Sequence, residues 1–265
     1  MPELPEVQCV VNSLSGVKGK KVKNVNIFNN KLREPVQENL SELLKEKTII
    51  DVVRRGKFII FKLDNGDIVS HLGMTGKFLI HADVEQEKHA RVQIEFTDGT
   101  DLIYSDIRKF GFLTYEKTAT SNKYIKNLGV EPLTDNFNGE YLYNITRSLK
   151  KNVKQFLLDQ SYIVGLGNIY VIELMYICKI NPLSTVNSLT RGECEQLVEE
   201  IKIILEKSIK AGGSSISDYR DAFDKEGSFQ DNFYVYGKEK DPLGHKVEKI
   251  KQNGRGTYYC PICQK

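Results

Sequence analysis

The chain opens Met1-Pro2-Glu3-Leu4-Pro5-Glu6, a proline beside the chain start with two carboxylates close behind it. Met1 precedes a small residue, so removal by an aminopeptidase is expected, and Pro2 would then carry a free secondary amine. An α-amino group has a reference pKa of about 8 against about 10.4 for lysine, so much more of it is unprotonated and able to attack at neutral pH. When such an amine adds to a sugar or aldehyde carbon it forms an iminium ion. That permanent cation withdraws electrons from neighbouring carbons and favours elimination there. The same residues also suit an ordinary helix start, with proline in the first turn and Glu3 and Glu6 at the positive end of the helix dipole. The opening by itself does not choose between these readings.

A second segment with chemical potential is Gln160–Tyr170, in which Gly165-Leu166-Gly167 precedes Asn168. Two glycines one residue apart permit a sharp turn whose backbone N–H groups can cradle a phosphate at the following helix start. A packing corner between helices would use the same residues. At the far end, Lys246, Lys249, Lys251, Arg255 and Lys265 face a single acid, Glu248, and make a local cationic tip. The net charge of +3 is too small to announce a nucleic-acid partner without that clustering.

These residues need a frame, and 265 residues with 40% hydrophobic and 28% charged content describe a globular protein with room for two modest domains. No run is long enough to cross a bilayer, and the charged start does not resemble a secretory signal. Five cysteines without an even framework point to a reducing compartment, so a cytoplasmic, nucleoid-associated location is expected. Stretches at 21–28, 49–53, 58–63, 68–71, 92–96, 102–105 and 112–115 are rich in β-branched and aromatic residues, and Asn65-Gly66 and Asp98-Gly99 supply hairpin turns. Residues 116–139 are polar and turn-rich, and read as a linker. Beyond them, Thr190 and Glu193 have capping-box spacing, and Leu197, Ile201, Ile204 and Ser208 repeat at helical intervals until Gly212-Gly213. The fold class expected is α+β, with a β-sandwich or barrel first, helices second and a short β-rich appendage at 234–263.

Several motifs occur together in one order: the Pro2–Val7 opening, Arg55-Gly56-Lys57, His71–Gly76, Asp106–Gly111, the Gly165–Tyr170 turn and Gly254–Thr257. In that order and spacing the chain resembles the bacterial formamidopyrimidine-DNA glycosylases from end to end. The resemblance implies a β-sandwich catalytic domain over 1–130, a helix-two-turn-helix domain with a lesion-capping loop over 131–233, and a β-hairpin finger over 234–265. It implies a monomeric base-excision enzyme acting on damaged double-stranded DNA, with no membrane partner. Such an enzyme removes 8-oxoguanine and ring-opened formamidopyrimidines, then cuts the strand by β- and δ-elimination. Pro2 would attack the deoxyribose C1′, with Glu3 as acid and base and Glu6 in the same pocket. Lys57, His71, Asn168 and Arg255 would grip the phosphates beside the lesion. Met74, Arg108 and Phe110 would fill the space left by the extruded nucleotide, and Lys154, Tyr170 and the 213–233 region would lie behind or over the damaged base.

The chain departs from that family at the finger. Two Cys-x-x-Cys pairs are usual there, but only Cys260 and Cys263 are present, and Lys240–His245 stands where the first pair belongs. No cofactor is required for the chemistry. His245 offers a third ligand beside Cys260 and Cys263, but the missing thiolates argue against bound zinc and for a metal-free hairpin around Asn253-Gly254. Cys9, Cys178 and Cys194 read as small buried hydrophobes. Two other functions stay open: an endonuclease VIII-like enzyme for oxidised pyrimidines, and a lesion-binding protein of the same fold that does not cut.

Overall fold

The computed structural model describes residues 1–80, 84–215 and 219–265, which form two compact units. The first comprises 1–127 and 211–228, the second 128–210 and 229–265.

In the first unit, helix α1 (Leu4–Ser13) leads into strand β1 (Val22–Ile27), and a short helix α2 (Leu40–Leu44) precedes seven further strands. These are β2 (Ile49–Arg55), β3 (Phe58–Leu63), β4 (Asp67–His71), β5 (Gly76–Ile80), β6 (Ala90–Phe96), β7 (Asp101–Asp106) and β8 (Phe112–Glu116). They form two four-stranded antiparallel sheets, ordered β1-β6-β7-β5 and β2-β3-β4-β8. The expected turns at Asn65-Gly66 and Asp98-Gly99 link β3 to β4 and β6 to β7. Strand β5 did not stand out from the sequence, because it is short and opens on a glycine and a lysine. A continuous core of Val7, Val10 and Leu14 from α1 with Phe61, Phe78 and Phe96 from the strands holds the unit together. Each such side chain contributes about 1.5–3 kcal/mol on burial.

The second unit contains α3 (Gly139–Thr146), α4 (Val153–Leu157), α5 (Asn168–Ile177) and α6 (Arg191–Lys210). The capping box at the head of α6 is formed: Thr190 N–H donates to Glu193 Oε2 at 2.7 Å, and Glu193 N–H donates to Thr190 Oγ1 at 3.2 Å. Leu197, Ile201, Ile204 and Ser208 all face inward, as their spacing requires. Helix α5 is apolar nearly all round and lies buried, packed against α6. A hairpin of β9 (Glu248–Gln252) and β10 (Arg255–Tyr259) turns at Asn253-Gly254, where both residues have positive φ.

Candidate active site and nucleic-acid interface

In the first unit, Pro2, Glu3 and Glu6 are all buried at the head of α1. The Glu3 N–H donates to Glu6 Oε2 at 2.8 Å. The other oxygen of Glu6 accepts the Ser214 N–H and hydroxyl, both at 2.9 Å. One carboxylate therefore ties the chain start to the returning segment at 211–215, a positioning use rather than a reactive one. Met1 is 47% exposed and lines a groove of about 580 Å³ together with Arg33, His71, Met74 and Phe110.

Two loops of that groove are locked to each other. Asp106, fully buried at the end of β7, accepts the Thr75 hydroxyl at 2.6 Å and the Gly111 N–H at 2.9 Å. Thr75 Oγ1 in turn accepts the Arg108 N–H at 3.0 Å. Gly73, at φ +61°, passes so close to the second loop that a Cβ there would sit 2.5 Å from Gly111 N. Only glycine fits that approach. The bracing leaves the side chains of Met74 and Phe110 outside, 38% and 48% exposed. The Arg108 guanidinium lies 4.8 Å from the Phe110 ring centroid. Stacking uses the face of the guanidinium and leaves its N–H edge to donate.

His71 ends β4 and packs against the rings of Phe58 and Phe112, which also touch each other. Its Nδ1 accepts the Gly73 N–H at 2.9 Å, so the proton of the neutral ring sits on Nε2. Burial, reinforced by the charges of Lys57, Arg33 and the chain start, pushes its pKa down to about 4. His71 is thus a neutral donor at physiological pH. Lys57, in the turn between β2 and β3, is itself buried to 7% exposure.

In the second unit, Asn168 opens α5 with Gly167 as its cap residue, and Gly165 takes φ +88° in the preceding turn. Gln160 braces that turn, accepting the Gly165 N–H at 2.8 Å and donating to the Leu166 carbonyl at 2.9 Å. Asn168 Nδ2 donates to the Gly256 carbonyl at 3.2 Å. Lys154 Nζ reaches the same strand, donating to Thr257 Oγ1 at 2.6 Å and to the Gly256 carbonyl at 3.3 Å. Burial and then the nearby Arg255 charge lower the Lys154 pKa to about 8. Arg255 stays exposed beside the turn of the hairpin that these two side chains hold. Tyr170 is wholly buried, its hydroxyl 2.6 Å from Ser208 Oγ and its ring stacked on Phe229. Of the 213–233 stretch expected to cap a lesion, residues 216–218 lie outside the described residues.

At the base of the hairpin, ligand atoms of Asp241, His245, Cys260 and Cys263 all lie within 4.8 Å of one another. Asp241 was not singled out in the sequence, since a lone aspartate ahead of a proline carries no signal without a known partner. Arg33 carries no local signal either, and the motifs that contain Asp106 and Gln160 do not show that these two side chains brace their loops.

The family model for the formamidopyrimidine-DNA glycosylase N-terminal domain matches residues 1–113, and that for the H2TH domain of the same enzymes matches 128–220. The chain is 43% identical over 270 residues to the formamidopyrimidine-DNA glycosylase of Wolbachia pipientis strain wPip, covering 100% of both. The chain belongs to the formamidopyrimidine-DNA glycosylase family. A Bacillus cereus formamidopyrimidine-DNA glycosylase is 41% identical over 273 residues, covering 100% of this chain and 99% of its own. Among solved structures, a mutant of the Lactococcus lactis glycosylase in complex with Fapy-dG-containing DNA matches with a TM-score of 0.90 at 37% identity. The wild-type Lactococcus lactis enzyme with oxidised-pyrimidine DNA matches at 0.88 and 36%, and both pairs overlap over 100% of each chain. The model of the zinc finger found in these glycosylases and in IleRS matches residues 244–265, which takes in His245, Cys260 and Cys263 and stops short of Asp241.

Proposed function

We propose that this glycosylase excises 8-oxoguanine and formamidopyrimidines from duplex DNA and then cleaves the strand, using the amine of Pro2 once Met1 is removed. The observation that carries this reading is that Met1 lines the same groove as His71, Met74 and Phe110, so its loss would open the Pro2 nitrogen to that groove. The amine lone pair attacks C1′, the glycosidic bond breaks with its electrons leaving on the base, and the Pro2 N–H proton passes to the departing base. Glu3 protonates O4′ as the sugar ring opens, giving an iminium between Pro2 and C1′. Loss of a C2′ proton into that sink expels the 3′ phosphate, and a further elimination expels the 5′ phosphate. No step calls for a metal.

Extrusion of the nucleotide costs a few kcal/mol. Met74 and Phe110 replace the lost stacking, and the edge of Arg108 hydrogen-bonds the widowed cytosine. Lys57 and His71 supply phosphate contacts from the first unit, Asn168 and Arg255 from the second. Such contacts fix register without reading sequence. Lys154 and Tyr170 act one layer behind, holding the hairpin and α5. The family matches support division into a catalytic module over 1–130, a helix-two-turn-helix module over 131–233 and a finger over 234–265. No helix among the described residues is long and apolar enough to cross a membrane, consistent with work on cytoplasmic DNA.

Borohydride reduction during turnover of an 8-oxoguanine duplex tests the nucleophile. The expected product is a one-to-one covalent complex whose modified peptide begins at Pro2, absent in Pro2→Gly. An active protein that retains Met1, or that traps no DNA, would overturn the assignment; lesion binding without any trapped adduct would support the non-cleaving alternative. The Lactococcus lactis complex with oxidised-pyrimidine DNA favours a second, wider substrate range. Excision rates on a panel of oxidised purines and pyrimidines decide between the two.

A further inference from the structure

We propose that Asp241, His245, Cys260 and Cys263 together hold one zinc ion, with a carboxylate and an imidazole standing where the family pattern has two thiolates. The inference concerns the finger and does not depend on the roles given to Pro2 or Glu3.

The first argument is geometry. Tetrahedral zinc with Zn–S near 2.3 Å and Zn–N or Zn–O near 2.0 Å sets its ligand atoms roughly 3.3–3.8 Å apart. Cys263 Sγ is 3.2 Å from Asp241 Oδ2 and 3.3 Å from His245 Nδ1, and His245 Nδ1 is 3.2 Å from Asp241 Oδ2. Three edges of the required polyhedron are therefore nearly at length. Cys260 completes a set of four within 4.8 Å.

The second argument is preorganisation. Asp241 Oδ1 accepts the Leu243 N–H at 3.0 Å and the His245 N–H at 2.8 Å, which aims Oδ2 at the sulfur and the ring. The Asp241 N–H donates to the His245 carbonyl at 2.9 Å, closing a small loop that carries both side chains. The other pair sits on a tight turn in which the Cys263 N–H donates to the Cys260 carbonyl at 3.2 Å. The Tyr176 hydroxyl donates to Asp241 Oδ2 at 3.3 Å, the kind of outer hydrogen bond that orients a metal-bound carboxylate.

The third argument is ligand chemistry. Two sulfurs, one imidazole and one carboxylate suit zinc and not magnesium or calcium, which take oxygen sets. With a neutral imidazole the filled site carries a single net negative charge, against two for four thiolates. The ion would join the loop at 241–245 to the turn at 260–263, at the two ends of the hairpin that carries Arg255. The sequence argued against zinc because thiolates were missing; Asp241 supplies the donor that was not counted.

The test uses the full-length, untagged protein. Under reducing conditions it should contain one zinc per chain by elemental analysis. Replacement by Co2+ should give the visible bands of a tetrahedral site, with thiolate charge transfer scaled to two sulfurs. Asp241→Ala should weaken zinc affinity by more than about 100-fold, beyond the roughly 10–100-fold typical of losing an outer partner, whereas Tyr176→Phe should stay within that range. Wild-type protein that takes up neither zinc nor Co2+, an octahedral or sulfur-free cobalt spectrum, or Asp241→Ala that retains stoichiometric zinc would each overturn the proposal. The wild-type spectrum needs no variant, so misfolding of Asp241→Ala cannot hide a failure. Borohydride trapping reads the catalytic assignment separately.

Discussion

His71 should make the protein acid-sensitive in a defined window. The residue is 8% exposed and its pKa is lowered from 6.5 to about 4, chiefly by burial and then by the Lys57 charge. Between those values the unfolded chain binds a proton that the folded chain refuses. Stability from this group is thus complete above about pH 6.5 and is lost as pH falls toward 4. The two pKa values give a loss of about 2 kcal/mol at pH 5 and about 3 kcal/mol at pH 4, relative to neutral pH. His71→Asn isolates the effect, because the asparagine Oδ1 can accept the Gly73 N–H that Nδ1 now accepts, and the side chain does not titrate. Urea unfolding at pH 7.5 and pH 5 should show the wild type losing about 2 kcal/mol more than the variant across that interval. Equal losses, or an imidazole that titrates near 6.5 by NMR in the free protein, would refute the reasoning.

Arg255→Ala should weaken DNA binding and lower the slope of log affinity against log salt by about 0.9, one phosphate's worth of counterion release. His71→Asn should weaken binding with the slope unchanged, since a neutral imidazole releases no counterion; fluorescence titrations across a salt series read both. Glu6→Gln replaces one of the two acceptor oxygens that serve Glu3 and Ser214 with an NH2 group. One buried donor then loses its partner at a cost of about 1–3 kcal/mol, and the melting temperature should fall by roughly 2–12 °C. An unchanged melt would mean that this carboxylate does not hold the chain start.

Local rules carried much of the fold. The two hairpin turns, the capping box at Thr190–Glu193 and the stop at Gly212-Gly213 each depend on residues a few positions apart, and each is found where its residue types put it. What stayed hidden depends on distant pairing. Nothing near Glu6 in the chain announces Ser214, and nothing near Asp241 announces Cys263, yet their hydrogen bonds organise the chain start and the finger. Strand β5 was missed because the partner β7 supplies its hydrogen bonds, while Gly76 and Lys77 have weak strand preference.

The site residues divide by a physical criterion that residue type alone does not reveal. By residue type alone Arg255 and Lys154 are two basic side chains, although the resemblance puts only Arg255 on a phosphate. Lys154 instead donates to Thr257 and Gly256 at 2% exposure, and burial depresses its pKa, so its charge is used inside the protein. Arg255 pairs with Gln252 across the hairpin, directly after the turn, and is exposed. A charge at such a tip is useful only if the strand beneath it does not move, and Lys154 and Asn168 hold that strand at Gly256. The same logic governs the first unit, where Asp106 and Thr75 fix the loops from which Met74, Arg108 and Phe110 project. In each unit the residues that would touch DNA stand on a buried polar brace. Substitutions in the brace should therefore mimic loss of the contact residue while leaving that residue in place.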